Sequence, residues 1–159
     1  MKEIITTKLN LEIKEELSKI LNGLECGLNE KRLNALIDIQ DKHQINIKYI
    51  KENDSIIAFC IYSNIIKSQL MQDLGESCDH YDDETYEYFE EFIKNMYDDT
   101  IYIHYIESII KENNYGTQLL NSVIDLDKDI ILYSSFDAER YWRKQNFENI
   151  FGYEYMYYA

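Results

Sequence analysis

Apolar and polar residues alternate along the chain with two different periods, which predicts both helices and strands. Glu3–Thr7 is a candidate first strand, and two helices follow it, with Asn10 and Asn29 as their expected N-caps. The first helix is expected to carry its apolar face as far as Leu24. Residues 45–49 then alternate as in a half-buried strand.

The middle of the chain continues with a turn at residues 52–55 and a nearly continuous apolar run, Ile56–Ile61. Such a run predicts a central strand that is covered on both faces. A short helix is expected around residues 66–74. A clearer helix begins at Asp82 or Asp83, with an apolar side that includes Met96 and Tyr97.

The last third of the chain is predicted to alternate strands with helices. Ile101–Ile106 is a strand, residues 113–116 form a loop, and an amphipathic helix follows. Ile130–Tyr133 is a short strand, and a helix over residues 137–145 has Ser135 or Asp137 as its expected cap. Residues 147–151 and 152–158 resemble two closing strands, so the chain alternates elements throughout and predicts an α/β fold.

Composition narrows the class of protein. A chain of 159 residues with 45% hydrophobic residues is expected to form one domain, residues 1–159, with a sizeable core. No apolar run is long enough to span a membrane, and the first residues do not resemble a signal peptide. Three cysteines without paired spacing fit reduced thiols, so a cytoplasmic location is predicted. No residue spacing indicates a metal site.

Charge is distributed unevenly. Of the net charge of −14, the segment from Asp73 to Asp99 carries −10, since it has eleven acidic residues and one basic residue, Lys94. An acidic protein is a poor match for nucleic acid, because that binding depends on lysine and arginine. The segment either attracts a cationic partner or is a solvated helix face that aids solubility.

The loop after the Ile101 strand carries the most specific chemistry. A strand that turns into a helix directs several backbone N–H groups and the positive end of the helix dipole at one place, which suits a phosphate. Gly116 would let an anion approach the backbone closely, and Asn114 can adopt a left-handed conformation more easily than most residues. An ordinary helix entry is the alternative.

A second segment, residues 135–147, follows the helix. Together with the loop, it resembles the GCN5-related N-acetyltransferase (GNAT) superfamily. The residues that carry the resemblance are Ser135, Ala138, Tyr141, Trp142, Lys144, Asn146 and Phe147 in this segment, and Lys111, Asn114 and Gly116 in the loop. The resemblance covers roughly a third of the chain, and only Gly116 is identical to the family's phosphate loop.

The resemblance implies a GNAT-like, mixed and mostly antiparallel central sheet flanked by helices. An acidic helical insert, about residues 66–98, would precede the fourth strand. Acetyl-coenzyme A (acetyl-CoA) would be the acetyl donor. Its pantetheine arm would pair with main-chain groups near the end of the fourth strand, and its phosphates would lie at the loop. The implied cofactor-binding residues are Ser108, Ile109, Ile110, Lys111, Asn113, Asn114, Tyr115, Gly116, Thr117, Ser135 and Trp142.

The implied catalytic residues are an acid and a base. The family's usual tyrosine acid aligns with Trp142, one residue after Tyr141, so either the register shifts to Tyr141, or no acid is used, or the protein is not an enzyme. Glu107 is the first candidate for the base and His104 the second. Because Glu107 and His104 are three positions apart on the predicted strand, their side chains are expected on opposite faces of it.

The predicted function is therefore acetyl transfer from acetyl-CoA to an amine, such as a basic small molecule, a polyamine or a protein amine. The alternative is a non-catalytic protein of the same fold whose acidic surface binds a basic partner. No nucleic acid or membrane partner is expected. The tyrosines of the closing strands could pair across a homodimer or pack on a helix.

Overall fold

A computed structural model of the chain describes residues 2–64, 67–76, 81–150 and 155–159. The strands are β1 (Ile5–Lys8), β2 (Ile45–Glu52), β3 (Ser55–Ser63), β4 (Ile101–Ser108), β5 (Ile130–Tyr133), β6 (Glu148–Asn149) and β7 (Tyr155–Tyr158). The helices are α1 (Leu11–Ser18), α2 (Glu30–His43), α3 (Lys67–Glu76), α4 (Asp83–Asn95), α5 (Tyr115–Ile124) and α6 (Glu139–Lys144), with short 3₁₀ turns at Leu21–Gly23 and Phe136–Ala138. The strand order in the mostly antiparallel sheet is β1-β2-β3-β4-β5-β7-β6.

The chain divides into two compact units. The first comprises Met1–Ser63 with Ile103–Asp127, and the second comprises Asn64–Tyr102 with Lys128–Ala159. Each unit is thus built from two separate stretches of sequence. The assignment of residues 1–159 to a single domain stays a prediction.

The first unit is built around the long hairpin of β2 and β3. Its two-residue turn, Asn53 and Asp54, has left-handed backbone at both positions, with φ of 51° and 64°, which matches the twist of the paired strands. Every residue of β3 after Ser55 is buried, as the apolar run predicted. The pattern in β2 is less regular than predicted, because Lys48 is buried as well.

Two capped helices cover one face of this sheet. The side chain of Asn10 accepts a hydrogen bond from the Ile13 amide, and that of Asn29 accepts one from the Arg32 amide, so both predicted N-caps are confirmed. The helices share a core with β2 and β3 that includes Leu17, Leu33, Ile47, Phe59 and Ile61. The first helix is shorter than predicted, since α1 ends at Ser18.

The second unit pairs β7 with β5 on one side and with β6 on the other, both antiparallel. The rings of Tyr155 and Tyr157 pack edge-on against Phe89 and Phe92 of α4, with centroids 5.2 and 5.1 Å apart. The tyrosines of β7 therefore contribute to the core of this unit. A homodimer stays a prediction.

Several predictions for the helices of the second unit can be compared with the structure. The helix predicted to begin at Asp82 or Asp83 is confirmed, since α4 begins at Asp83, and the Asp82 side chain caps it by accepting from the Thr85 amide. Tyr97 was placed on the buried side of this helix, which is wrong: α4 ends at Asn95, and Tyr97 is 70% exposed. The caps proposed for the last helix are also wrong, because a 3₁₀ turn precedes α6 and Ala138 is its N-cap.

Two predicted segments lie partly outside the described residues. The closing strands were predicted over residues 147–151 and 152–158, and residues 151–154 are not described. The acidic segment was predicted over about 66–98, and it contains α3 and α4 among the described residues. That this segment is an insertion into the family's fold stays a prediction.

Candidate functional site

The first feature of the candidate site is the end of β4. The amide of Ile109 donates to the carbonyl of Ile57 in β3 at 2.8 Å, which extends the strand pairing one residue beyond β4. Because main-chain groups alternate in direction along a strand, those of Ser108, the last residue of β4, point away from β3, and the chain bends at residues 109 and 110. The hydroxyl of Ser108 donates to the Ile110 carbonyl. Of the three residues expected to contact pantetheine, Ile109 already donates its amide hydrogen bond to β3.

The loop that follows has an unusual backbone. Asn113 and Asn114 both have left-handed conformations, with φ of 67° and 54°. Asparagine tolerates this region better than most residues, so the conformation expected of Asn114 is confirmed and extends to its neighbour. The side chain of Gln118 braces the loop by donating to the Asn113 carbonyl at 2.9 Å. Tyr115 is buried beneath it, and its hydroxyl accepts from the Asn113 amide group at 3.4 Å.

The loop residues before α5 are exposed, and the helix begins at the buried Tyr115. Asn114 is the N-cap, but its side chain makes no capping hydrogen bond. Helix geometry gives the amides of the first two residues, Tyr115 and Gly116, no acceptor within the helix. The first intrahelical bond is donated by Gln118 to the Asn114 carbonyl at 3.0 Å. A run of N–H groups thus begins the helix without a side-chain cap.

Gly116 leaves space at this helix start. A Cβ atom built on Gly116 would have no other heavy atom within 4 Å, and the residue does not need a positive φ. Neither packing nor backbone conformation therefore requires glycine here. The clearance at residue 116 fits a group that approaches the backbone closely, such as a phosphate.

A cavity of about 450 Å³ adjoins the loop and is lined by Lys2, Asn113, Tyr115 and Gln118. Sequence reasoning identified Asn113 and Tyr115 but missed Lys2 and Gln118. Lys111 forms an ion pair with Glu25 at 3.7 Å, its side chain is 60% exposed, and it stays a predicted cofactor-binding residue. No local pattern distinguishes Lys2, since only the fold brings it to the loop.

Glu107, the first candidate for the base, is buried and binds main-chain groups. Its carboxylate accepts from the Glu25 amide at 2.8 and 3.0 Å and from the Cys26 amide at 2.6 Å. The segment between the Leu21–Gly23 turn and α2 is therefore tied to β4 through this side chain. The adjacent Cys26 thiol is neutral at physiological pH, because burial raises its pKa to about 11.

His104, the second candidate, faces the opposite side of β4 from Glu107 by strand alternation. Burial, assisted by the nearby His43, lowers the pKa of His104 to about 4. The imidazole is therefore neutral at physiological pH. A base of this strength accepts protons poorly compared with one whose pKa lies near the working pH.

The remaining predicted residues, Ser135, Tyr141 and Trp142, belong to the second unit. Trp142 is buried, and its ring packs edge-on against Phe147 with centroids 5.2 Å apart. Tyr141 is 36% exposed and lies against Trp142. Ser135 is exposed, and its carbonyl accepts from the Ala138 amide at 3.1 Å. Of the aromatic pair, the tyrosine is the one that solvent reaches.

Two negative findings concern the described residues. Among them, no group of three or more His, Cys, Asp or Glu is arranged to bind a metal ion. No helix within the described ranges has the length and apolar character needed to cross a membrane.

No protein-family profile matches this sequence, and no curated protein sequence matches it. Solved structures do match its fold over most of the chain. One is the N-acetyltransferase YlbP of Bacillus subtilis in complex with coenzyme A, which is 14% identical in sequence. The match covers 100% of this chain and 97% of YlbP, with a TM-score of 0.59. A GNAT family acetyltransferase from Brucella melitensis, in complex with acetyl-CoA, is 9% identical, with coverages of 100% and 89% and a TM-score of 0.59.

A third similar structure is the polyamine N-acetyltransferase of Drosophila melanogaster, which is 10% identical, with coverages of 93% and 84% and a TM-score of 0.62. The fold of this chain is therefore that of the GNAT-family acetyltransferases, as the resemblance implied.

Proposed function

We propose that this chain is an N-acetyltransferase that uses acetyl-CoA as the acetyl donor. The observation that carries the proposal is the start of α5, where two consecutive left-handed asparagines, Asn113 and Asn114, lead into a helix without a side-chain cap. Gly116 adds clearance at the same place. These features support binding of the cofactor diphosphate by the amides of Tyr115, Gly116 and Thr117.

The end of β4 suits the pantetheine arm. The Ile109 amide is bonded to β3, whereas alternation along β4 directs the main-chain groups of Ser108 to the other edge of the strand. An extended chain with amide groups, such as pantetheine, can pair with that edge. Bound acetyl-CoA would supply an activated acetyl group as a thioester.

The transfer requires two proton movements. The amine nitrogen bonds to the acetyl carbonyl carbon, the carbon–sulfur bond breaks, one proton leaves the amine, and one reaches the sulfur. Alignment of the two reactants supplies much of the acceleration in such reactions. Tyr141 remains the proposed proton donor, and its exposure supports this choice over the buried Trp142.

The two candidates for the proton acceptor differ in their surroundings. Direct proton transfer by Glu107 stays a prediction, and its three hydrogen bonds to Glu25 and Cys26 support a positioning role as well. His104, with a pKa of about 4, is the weaker candidate. Ser135 and Trp142 stay predicted cofactor contacts.

The proposed acceptor is a cationic amine. The similar Drosophila enzyme acts on polyamines. This chain has a net charge of −14, and α4 presents exposed carboxylates on its solvent side, namely Glu84, Glu87 and Glu91. A negative surface raises the local concentration of cationic ligands. The proposed cytoplasmic location follows from the thiols and is independent of the acceptor.

Two measurements test the proposal. Isothermal titration of the purified chain with acetyl-CoA should show saturable binding, and a thiol-release assay should show turnover with a polyamine faster than with an uncharged amine. Binding without turnover on any amine would favour a non-catalytic protein of this fold. No binding at millimolar acetyl-CoA would refute the proposed function.

A further inference from the structure

Lys2 lies at the loop that precedes α5, although it is far from that loop in sequence. It lines the cavity of about 450 Å³ together with Asn113, Tyr115 and Gln118. The last three residues form the left-handed turn and the first turns of α5. Lys2 thus places an ammonium group on the same cavity as the helix start.

The present partner of Lys2 can be exchanged. Its Nζ atom is 3.1 Å from Oε2 of Glu52, and the two side chains are 38% and 39% exposed. Ion pairs this exposed contribute little to stability, because water and salt screen them. A diphosphate carries more negative charge than one carboxylate, and at this position it would also interact with the helix dipole.

Lys111 lies outside this cavity. It aligns with the Arg or Gln of the family's loop, but it does not line the cavity, and its ion pair with Glu25 is itself exposed. The described residues that do line the cavity include one cation, Lys2. Lys2 is therefore the described residue that could offer a positive charge to a phosphate in this cavity.

We propose that Lys2 is a cofactor-binding residue that leaves Glu52 and pairs with the diphosphate of coenzyme A. This inference rests on the proposed function, since it assigns a residue to the same phosphate site. It concerns affinity for the cofactor and assigns Lys2 no part in proton transfer.

The test compares Lys2→Met with Lys8→Met by isothermal titration. Both substitutions remove one positive charge, but Lys8 is exposed at the opposite end of β1 and is absent from the cavity lining. We expect Lys2→Met to weaken binding of coenzyme A by roughly three- to tenfold at low salt, and Lys8→Met to leave it unchanged. The difference should shrink as salt is raised.

Two further comparisons sharpen the assignment. Dephospho-coenzyme A retains the diphosphate and lacks the 3′-phosphate, so Lys2→Met should weaken its binding by the same factor. Glu52→Gln removes the competing carboxylate, and this variant should bind coenzyme A at least as tightly as the wild-type chain does.

The outcomes separate this inference from the proposed function. If the wild-type chain fails to bind coenzyme A, the proposed function is refuted. If the wild-type chain binds and Lys2→Met binds equally well, only the role of Lys2 is refuted. A loss seen with coenzyme A but absent with dephospho-coenzyme A would also overturn it, since Lys2 would then contact the 3′-phosphate.

Discussion

Replacing Gly116 with alanine should separate cofactor binding from folding. The new methyl group would have no other heavy atom within 4 Å, so it causes no clash in the unliganded protein. Glycine within a helix costs about 0.5–1 kcal/mol relative to alanine, and less near a helix end. We therefore expect the free energy of unfolding to stay constant or to rise by up to about 0.5 kcal/mol.

Cofactor binding should change in the opposite direction. The methyl group would occupy the space that lets phosphate oxygens approach the amides at the start of α5. A hydrogen bond to a charged group contributes about 1.5–3 kcal/mol, so losing one should weaken coenzyme A binding by about tenfold or more. Increased stability with reduced affinity is a combination that a purely structural role for Gly116 does not produce.

Gly75 provides a matched control. It lies within α3, and a Cβ atom there would also have no neighbour within 4 Å. Gly75→Ala should therefore leave binding unchanged and keep or raise stability. The assays are thermal unfolding and titration with coenzyme A for the wild-type chain and both variants. If the wild-type chain binds and Gly116→Ala binds equally well, the phosphate site is not at residue 116.

Three other substitutions test the proposed catalytic residues. Glu107→Gln keeps one oxygen that can accept from the Glu25 and Cys26 amides, but it removes the second accepting oxygen and the negative charge, so the free energy of unfolding in urea should fall by about 1–2 kcal/mol. Unchanged stability with a lost kcat would instead support direct proton transfer. Tyr141→Phe should lower kcat by about a hundredfold with an unchanged Tm, and an unchanged kcat would remove Tyr141 from the chemistry. Between pH 6.5 and about 4 the unfolded chain protonates His104 and the folded chain does not, so this residue should reduce stability as pH falls through that range, by up to about 3 kcal/mol. His104→Gln should lose that part of the pH dependence, and urea unfolding at pH 7 and pH 5 measures it.

Local signals in the sequence were sufficient for the caps of the first two helices and for the main hairpin. Asn10 and Asn29 each accept from an amide three residues ahead, and this pattern can be recognised without the fold. The turn at Asn53 and Asp54 is equally local. Such features are set by a few neighbouring residues, which explains why the order of strands and helices was predictable.

The end of the first helix was not predictable in this way. Apolar residues continue at helical spacing to Leu24, but α1 ends at Ser18 and a 3₁₀ turn follows at Leu21–Gly23. The amides of Glu25 and Cys26 then bind the carboxylate of Glu107, which lies far along the chain in β4. A contact between distant residues stabilises the end of this segment. Lys2 escaped prediction for the same reason, since only the fold brings it beside Asn113.

The proposed phosphate loop shows how a site of this kind can keep its geometry where no sequence profile matches. Anion binding at a helix start requires backbone amides in a suitable conformation and clearance above them, and glycine is one way to provide both. Here Asn113 and Asn114 provide the left-handed conformations, and Gly116 provides the clearance. A sequence profile that scores the family's glycines finds one of them in this loop, at Gly116. The loop nevertheless has both the left-handed conformations and the clearance. The loop can therefore keep its proposed function at the 9–14% identity seen with the Brucella and Bacillus structures.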